Sequence, residues 1–368
     1  MTPTRIESLS IEGHTSIEHA TVDLGPINIL VGANGSGKSN FIRVLELLGR
    51  LVDQDLGLYV RRAGGAAMVV RQPGGSTITI GVVGECGRYE ATLEAGPDDR
   101  LIFTHEDWSA VDGTFGGMAG AGGHESVLRE KMTELARAKG IAGLRGVERV
   151  FEMLGGCRVF HFHDTSDTAP VKQPGPTADN LTLAADARNL AAVLAALQQS
   201  DQIAYRRIVR AVQQVAPFFR DFVLKEEGAD RIRLRWRQTD SDTVFSAHQM
   251  SDGTLRFICL ATLLLQPNLP QLVVLDEPEL GLHPYAIGQL AEMLRAVSVD
   301  HQVVVATQSV TLMDQFALSD LIVVERERGA SVFHRPNPER LRDWLAEYSL
   351  GELWQKNLIG GRPKRESA

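Results

Sequence analysis

Eight consecutive residues carry the clearest chemistry in the chain. Gly32-Ala33-Asn34-Gly35-Ser36-Gly37-Lys38-Ser39 fits G-x-x-x-x-G-K-[ST] in full, the P-loop pattern that cradles phosphate when a strand precedes it and a helix follows. Glycines let successive backbone N–H groups turn inward on an anion, and the start of the helix adds its positive end. Lys38 is expected to reach the β- and γ-phosphates of a nucleotide and Ser39 to ligate Mg²⁺. Asn34, Gly35, Ser36, Gly37, Lys38, Ser39 and Asn40 therefore form the expected phosphate-binding set. A cradle alone hydrolyses nothing, so a carboxylate pair at a strand tip is the next requirement. Leu272-Val273-Val274-Leu275 runs into Asp276-Glu277, which puts Asp276 at the carboxyl end of a core strand, where open α/β sheets bind ligands. Asp276 is expected to hold Mg²⁺ through water, and Glu277, one residue beyond, to polarise the attacking water. Standing alone, such a pair also reads as a helix N-cap. The upstream P-loop favours the catalytic reading.

The elements that must position these groups follow from periodicity. Ile27 to Val31 is a short apolar run, and Phe41, Ile42, Val44, Leu45, Leu47 and Leu48 recur at helical spacing beyond the glycines, giving strand, loop, helix. Residues 5 to 24 alternate as a β-hairpin turning near Glu12-Gly13-His14. Met68-Val69-Val70, Thr77 to Val83, Tyr89 to Leu93 and Leu101-Ile102-Phe103 read as further strands of an antiparallel sheet. Residues 112 to 123 are crowded with glycine and read as a mobile loop, followed by modest helices at 125–139 and 144–154. Arg158 to Phe162 reads as a strand, 164–182 as a loop, 186–216 as helix, and Phe222-Val223-Leu224 with Ile232 to Trp236 as a strand pair. The last third alternates helix 254–265, strand 271–275, helix 284–297, strand 302–306, helix 309–316 and strand 320–324, which implies a parallel sheet flanked by helices.

Composition narrows the class. The chain has 368 residues, 43% hydrophobic and 23% charged, too apolar for disorder and long enough for two or three domains. The longest apolar run, Phe257 to Leu265, is too short to cross a bilayer. Met1 to Ser10 does not read as a signal peptide, so a cytoplasmic protein with no membrane partner is expected. Cys86, Cys157 and Cys259 have neither metal nor disulfide spacing and read as core residues. A net charge of -8 argues against wholesale coating of nucleic acid and leaves room for a local basic groove.

Asp276-Glu277-Pro278-Glu279-Leu280-Gly281-Leu282-His283-Pro284 resembles the Walker B and D-loop of the RecF/SMC-like branch of ABC-type ATPases. Ile6 to Leu30 followed by Gly32 to Asn40 resembles the same family's N-terminal half, and Met250-Ser251-Asp252-Gly253-Thr254 stands where the family places its signature motif. The chain is similar to the stand-alone ATPases grouped as AAA_21, which include prokaryotic defence-associated relatives. The resemblance implies an α/β P-loop NTPase of ABC type, with a mixed or parallel core sheet flanked by helices and an antiparallel β subdomain. It divides the chain into residues 1–103, the N-terminal part of the ATPase head; 104–155, an inserted glycine-rich loop and helices; 156–335, the C-terminal part of the head; and 336–368, a C-terminal helix and basic tail. It implies ATP and Mg²⁺ as ligands, and a homodimer or higher even oligomer in which each ATP lies between one P-loop and the other head's Ser251, Asp252 and Gly253. A serine hydroxyl and two N–H groups at a helix start suit closure on a γ-phosphate, and S-D-G before an apolar helix is equally the sequence of a plain N-cap. Asp252 and Thr254 depart from the transporter-type S-G-G-Q.

Gln308 follows the strand Val303 to Ala306, where many relatives carry a switch histidine. A neutral amide still donates to a γ-phosphate but does not titrate near neutral pH. No clear Q-loop glutamine follows Arg158 to Phe162, where His163-Asp164 stands. His161 and His163 would share one face of that strand, with metal binding or a structural role open. Arg231, Arg233, Arg235 and Arg237 alternate with apolar residues, open to a phosphate backbone, an acidic partner or plain solvent. The driven process has two readings. One is control of a separate effector, such as a TOPRIM-type nuclease or toxin, in anti-phage defence. The alternative is a RecF-like DNA-repair or chromosome-maintenance ATPase that binds DNA.

Overall fold

The computed structural model describes residues 4–111, 116–120, 122–139, 145–228 and 230–361. In chain order, β1 (Ile6–His14) and β2 (Ile17–Asp23) make a hairpin, and β3 (Ile27–Val31) leads into α1 (Lys38–Asp53) and α2 (Leu56–Ala63). Next come β4 (Thr77–Gly84), β5 (Gly87–Ala95), β6 (Leu101–Ala110), β7 (Gly116–Ala119), α3 (Leu128–Lys139), α4 (Arg145–Gly155) and β8 (Cys157–Phe160). The middle holds β9 (Gly175–Pro176), α5 (Leu190–Ser200), α6 (Gln202–Val215), β10 (Phe219–Phe222), β11 (Arg231–Ile232), β12 (Arg235–Gln238), β13 (Val244–Ser246) and α7 (Asp252–Leu265). β14 (Leu272–Asp276), α8 (Pro284–Val297), β15 (Gln302–Thr307), α9 (Val310–Met313), β16 (Leu321–Glu327), β17 (Ala330–His334), α10 (Pro338–Leu345) and α11 (Leu350–Gln355) complete it. The described residues form two compact units, one from residues up to 159 with 270–274 and those from 300 onward, the other from 160–269 and 275–299.

The first unit has two six-stranded sheets. One is antiparallel, in the order β2-β1-β4-β5-β6-β7; the other runs β17-β16-β3-β15-β14-β8, with β3 parallel to both its neighbours. β3 is buried along its whole length, as a central parallel strand must be. Leu9, Ile11, Ile80 and Leu93 of the first sheet and Val304, Ala306 and Ile322 of the second share one core with Phe41, Leu45 and Leu48 of α1. The helix that follows the P-loop is thus fixed by apolar packing, and its first turn inherits that rigidity. Gln302 joins the sheets: its amide oxygen accepts from Ile6 N at 3.0 Å, and its nitrogen donates to Ile6 O at 2.8 Å and Gly25 O at 2.9 Å.

Several elements differ from the sequence expectation. Residues 112–115 and 121 lie outside the described residues, but Gly116–Ala119 is a strand paired with β6, not a loop. A Cβ at Gly117 would come within 2.7 Å of the Trp108 ring, so glycine here serves close packing. The inserted segment is also pinned by acids. Buried Glu106 accepts from Tyr89 Oη at 2.7 Å, Ser126 Oγ at 2.5 Å and Val127 N at 3.0 Å. Glu125 accepts the Leu56 and Gly57 amides of α2, each at 3.1 Å. Residues 66–68 form a short 3-10 turn after Gly64 and Gly65, both at positive φ, in place of the strand expected at 68–70; Val70 alone bridges to His14.

In the second unit the stretch 186–216 is two helices, because Asp201 leaves the helical path and its carboxylate accepts the Ile203 and Ala204 amides to start α6. The expected strand pair shifts to β10 with β12, where Phe219 and Phe222 pack beside Trp236. All three cysteines are buried. Burial pushes the Cys86 thiol up to about 11 and Cys157 and Cys259 up to about 12, so they stay protonated at neutral pH. Among the described residues no helix is long and apolar enough to cross a membrane.

Candidate nucleotide site

In the first unit the chain leaves β3 at Val31, turns through Gly32 to Gly37 and enters α1 at Lys38. Gly35 and Gly37 have φ of 76° and 116°, values that L side chains avoid. The Lys38 ammonium, buried, donates to Gly32 O at 2.7 Å and Ala33 O at 3.1 Å, so the cation lies along the loop's own carbonyls. The N-cap of α1 is Gly37, with no side-chain cap. The parallel register sets Thr307 opposite Val31, which brings the next residue, Gln308, to the loop; its amide nitrogen donates to Asn34 Oδ1 at 2.6 Å. Asn40 Nδ2 is turned onto Ser16 Oγ at 2.7 Å.

Ser331 and Ser16 also meet the loop and the first turn of α1, with Arg71 behind them, and none of the three lies in a local motif. Ser331 Oγ donates to Ser36 O at 2.7 Å, and Ser16 Oγ lies 2.6 Å from Ser331 Oγ. Arg71 Nη1 donates to Ser16 O at 3.0 Å and Gly329 O at 3.3 Å, tying the turn that bears Ser16 to the turn that precedes β17.

The second unit carries the acids. Asp276 closes β14, and Glu277 follows with φ 42°, a left-handed non-glycine backbone of the kind held in place at functional sites. Asp276, Glu277, His163 and Arg256 line one narrow cleft, so His163, and not a glutamine, follows β8 and stands beside the carboxylates. Arg256 of α7 donates to His163 O and to Leu280 O, each at 2.8 Å. Ser251 caps α7, accepting from Thr254 N at 3.2 Å, with Thr254 Oγ1 2.8 Å away. Asp252 is exposed and its carboxylate lies 3.9 Å from the ammonium of Lys172, whose side chain is only 5% exposed and donates to Thr165 O at 2.6 Å. At Gly253 a Cβ would sit 2.3 Å from Gly281 O, so this glycine lets the Ser251 turn rest on the loop that follows Glu277.

Two sequence readings change. β8 ends at Phe160, so His161 and His163 lie beyond the strand and do not share a strand face; their rings are 6.2 Å apart, and His161 N donates to Ala185 O at 2.8 Å. The arginine run is split between β11 and β12, and Glu227 lies 3.9 Å from Arg233 and 3.2 Å from Arg235, while Arg231 donates to Pro174 O. It is not one continuous basic face. The basic tail at 362–365 lies outside the described residues.

Residues 27–114 and 159–314 match the family AAA_21, described as "AAA domain, putative AbiEii toxin, Type IV TA system", about two-thirds of the chain. Among curated proteins it is similar to the energy-coupling factor transporter ATP-binding protein EcfA2 of Staphylococcus epidermidis, 28% identical over 26% of this chain and 32% of that one. It is also similar to the phosphate import ATP-binding protein PstB 3 of Natronomonas pharaonis, 24% identical over 32% of this chain and 45% of that one. The chain thus spans between a third and a half of these relatives' length. In fold it resembles an Smc head bound to the C-winged helix domain of ScpA (TM-score 0.55, 16% identity, 92% of this chain and 99% of that one). A Pyrococcus yayanosii Smc head with a coiled coil and joint is comparable (TM-score 0.54, 12% identity, 94% and 99%). With its P-loop, its strand-tip acids and a family match over about two-thirds of its length, the chain belongs to the AAA_21 family, and its fold is like that of an Smc head.

Proposed function

We propose that the chain binds and hydrolyses ATP, and that the cycle controls a partner protein. The observation that carries the reading is the Gly32–Ser39 turn, which ends in a helix start without a side-chain cap and holds a buried ammonium along its carbonyls. Phosphate supplies the negative charge and acceptors that such a start lacks. Lys38 moves its N–H bonds from Gly32 and Ala33 to phosphate oxygens, and Asn34 to Asn40 surround them. Ser39 and Asp276 are oxygen donors, the chemistry Mg²⁺ takes, and would hold that ion, which when bound offsets phosphate charge. Glu277 accepts a proton from the attacking water. Gln308 exchanges its bond with Asn34 for the γ-phosphate and so reports its presence. Ser251, Asp252 and Gly253 of a second copy close on that phosphate in a head-to-tail dimer.

The effector reading draws support from the family's description, which names a toxin of a type IV toxin–antitoxin system, and from an Smc head that is described bound to a partner protein. A separate effector, such as a TOPRIM-type nuclease or toxin in anti-phage defence, fits it. The test is steady-state hydrolysis by the wild-type chain and Glu277→Gln with nucleotide affinity measured in parallel. The variant should bind ATP normally, turn over roughly 10²- to 10⁴-fold more slowly and accumulate as an ATP-dependent dimer. Hydrolysis at the wild-type rate would remove Glu277 from its role.

A further inference from the structure

We infer that Ser331, with Ser16 behind it, is a positioning residue for phosphate binding, acting through the backbone of the P-loop; the inference rests on the ATP-binding reading above. Both serines lie outside the residues matched to the family. The polarity of their hydrogen bonds follows from the acceptors. Ser36 O only accepts, so the single proton of Ser331 is committed to it at 2.7 Å. Ser16 must then donate across the 2.6 Å contact to Ser331, and its own oxygen is filled by Asn40 Nδ2 at 2.7 Å. One directed chain therefore runs from Asn40 in the first turn of α1 through Ser16 and Ser331 to the Ser36 carbonyl. Chains of this kind polarise each member in the same sense.

The consequence for the loop is geometric. In a planar trans peptide the C=O and the N–H point in opposite directions. Holding the Ser36 carbonyl toward Ser331 aims the Gly37 N–H away from it, as a nest of inward N–H groups requires. Gly37 must be glycine for the same reason: at φ 116° a Cβ would lie 2.0 Å from Ser331 Oγ. Ser331 is 1% exposed, so water does not replace its hydroxyl. Its strand is held in turn: Ser331 N donates to Ser16 O at 2.8 Å, and Arg71 bonds the same carbonyl.

The experiment measures the ATP dissociation constant and the rate at saturating ATP for the full chain carrying Ser331→Ala, Ser331→Cys, Ser16→Ala or Lys38→Ala. Loss of one hydrogen bond to a carbonyl should weaken ATP binding about three- to tenfold in Ser331→Ala, with the saturated rate within about twofold of wild type. Ser331→Cys, near in shape and a weaker donor, should fall between. Ser16→Ala, which leaves the Ser331 proton on Ser36, should lose about twofold. A general loosening of the fold would instead raise the dissociation constant and lower the saturated rate together. Wild-type affinity in Ser331→Ala, while Lys38→Ala binds no ATP, overturns the inference alone. Wild-type affinity in Lys38→Ala overturns the ATP-binding reading beneath it. If Ser331→Ala does not fold, wild-type affinity in Ser16→Ala overturns the inference.

Discussion

Helices α1 and α7 both begin on a turn of glycine and serine, and they complete that turn in different ways. At α1 the N-cap is Gly37, with a left-handed backbone and no side-chain cap. At α7 the N-cap is Ser251, with an extended backbone, and its hydroxyl accepts the Thr254 amide. The α1 turn is held from outside by Ser331 on its carbonyl side, whereas the α7 turn satisfies itself and rests on Gly281. A helix start without a cap on a rigid core is a standing site for an anion. A capped start has no such deficit, and Ser251 has a single hydroxyl proton to offer a phosphate, with Thr254 Oγ1 2.8 Å away to share it. The first turn thus suits resident binding of nucleotide, and the second suits a contact made when a γ-phosphate is brought to it.

The largest effect should come from removing the cation at the first turn. Lys38→Ala should abolish measurable ATP binding by calorimetry, since charge-assisted bonds to phosphate are worth on the order of 1.5–3 kcal/mol each, and it should leave the α7 turn unchanged. Retained affinity would erase the distinction between the turns.

Acid should next weaken the strand that leads to the first turn's support. His14, on the strand that leads to Ser16, has its imidazole pushed down to about 4 by burial, with Arg43 adding to the effect. Its ordinary value in the unfolded chain is about 6.5. Between these values the unfolded chain holds more protons, so stability is complete above about 6.5 and falls as pH drops toward 4, by on the order of 3 kcal/mol in all. Thermal unfolding from pH 7 to 4 should show this decline in the wild type and a flatter profile in His14→Phe. Equal slopes would remove His14 as the cause.

The smallest effect sharpens the second turn. Ser251→Ala removes a cap and should cost about 1 kcal/mol, whereas Ser251→Asn keeps capping ability and should cost a few tenths. If Ser251 also meets phosphate, both variants lose turnover although only one loses stability. Full turnover in Ser251→Asn would make Ser251 a cap and nothing more.

What could be read from the sequence divides along the same line. The P-loop and Asp276-Glu277 are legible because each is a run of neighbours between periodic apolar residues, and β3, α1, β14 and α8 stand where that periodicity puts them. Gln308 was legible through its place after β15. Ser16 and Ser331 were not, since neither lies in a motif and their hydrogen bond joins residues 315 apart. Apolar triplets misled twice. Met68-Val69-Val70 follows two glycines at positive φ that turn the chain, and Phe222-Val223-Leu224 yields to Phe219–Phe222 because the aromatics pair with Trp236. Glycine content misled at 116–119, where the missing side chains make room for Trp108.

The most direct test of the account mixes two inactive chains. Lys38→Ala lacks phosphate binding at the first turn, and Ser251→Arg blocks the second with a bulky cation, so neither should hydrolyse ATP alone. If each site joins the first turn of one copy to the second turn of another, a heterodimer gathers both lesions into one site and leaves the other intact. Random pairing makes about half the dimers of this kind, so the mixture should recover up to roughly a quarter of the wild-type sites. A mixture that stays inactive while cross-linking shows that heterodimers have formed would contradict shared sites that fire independently.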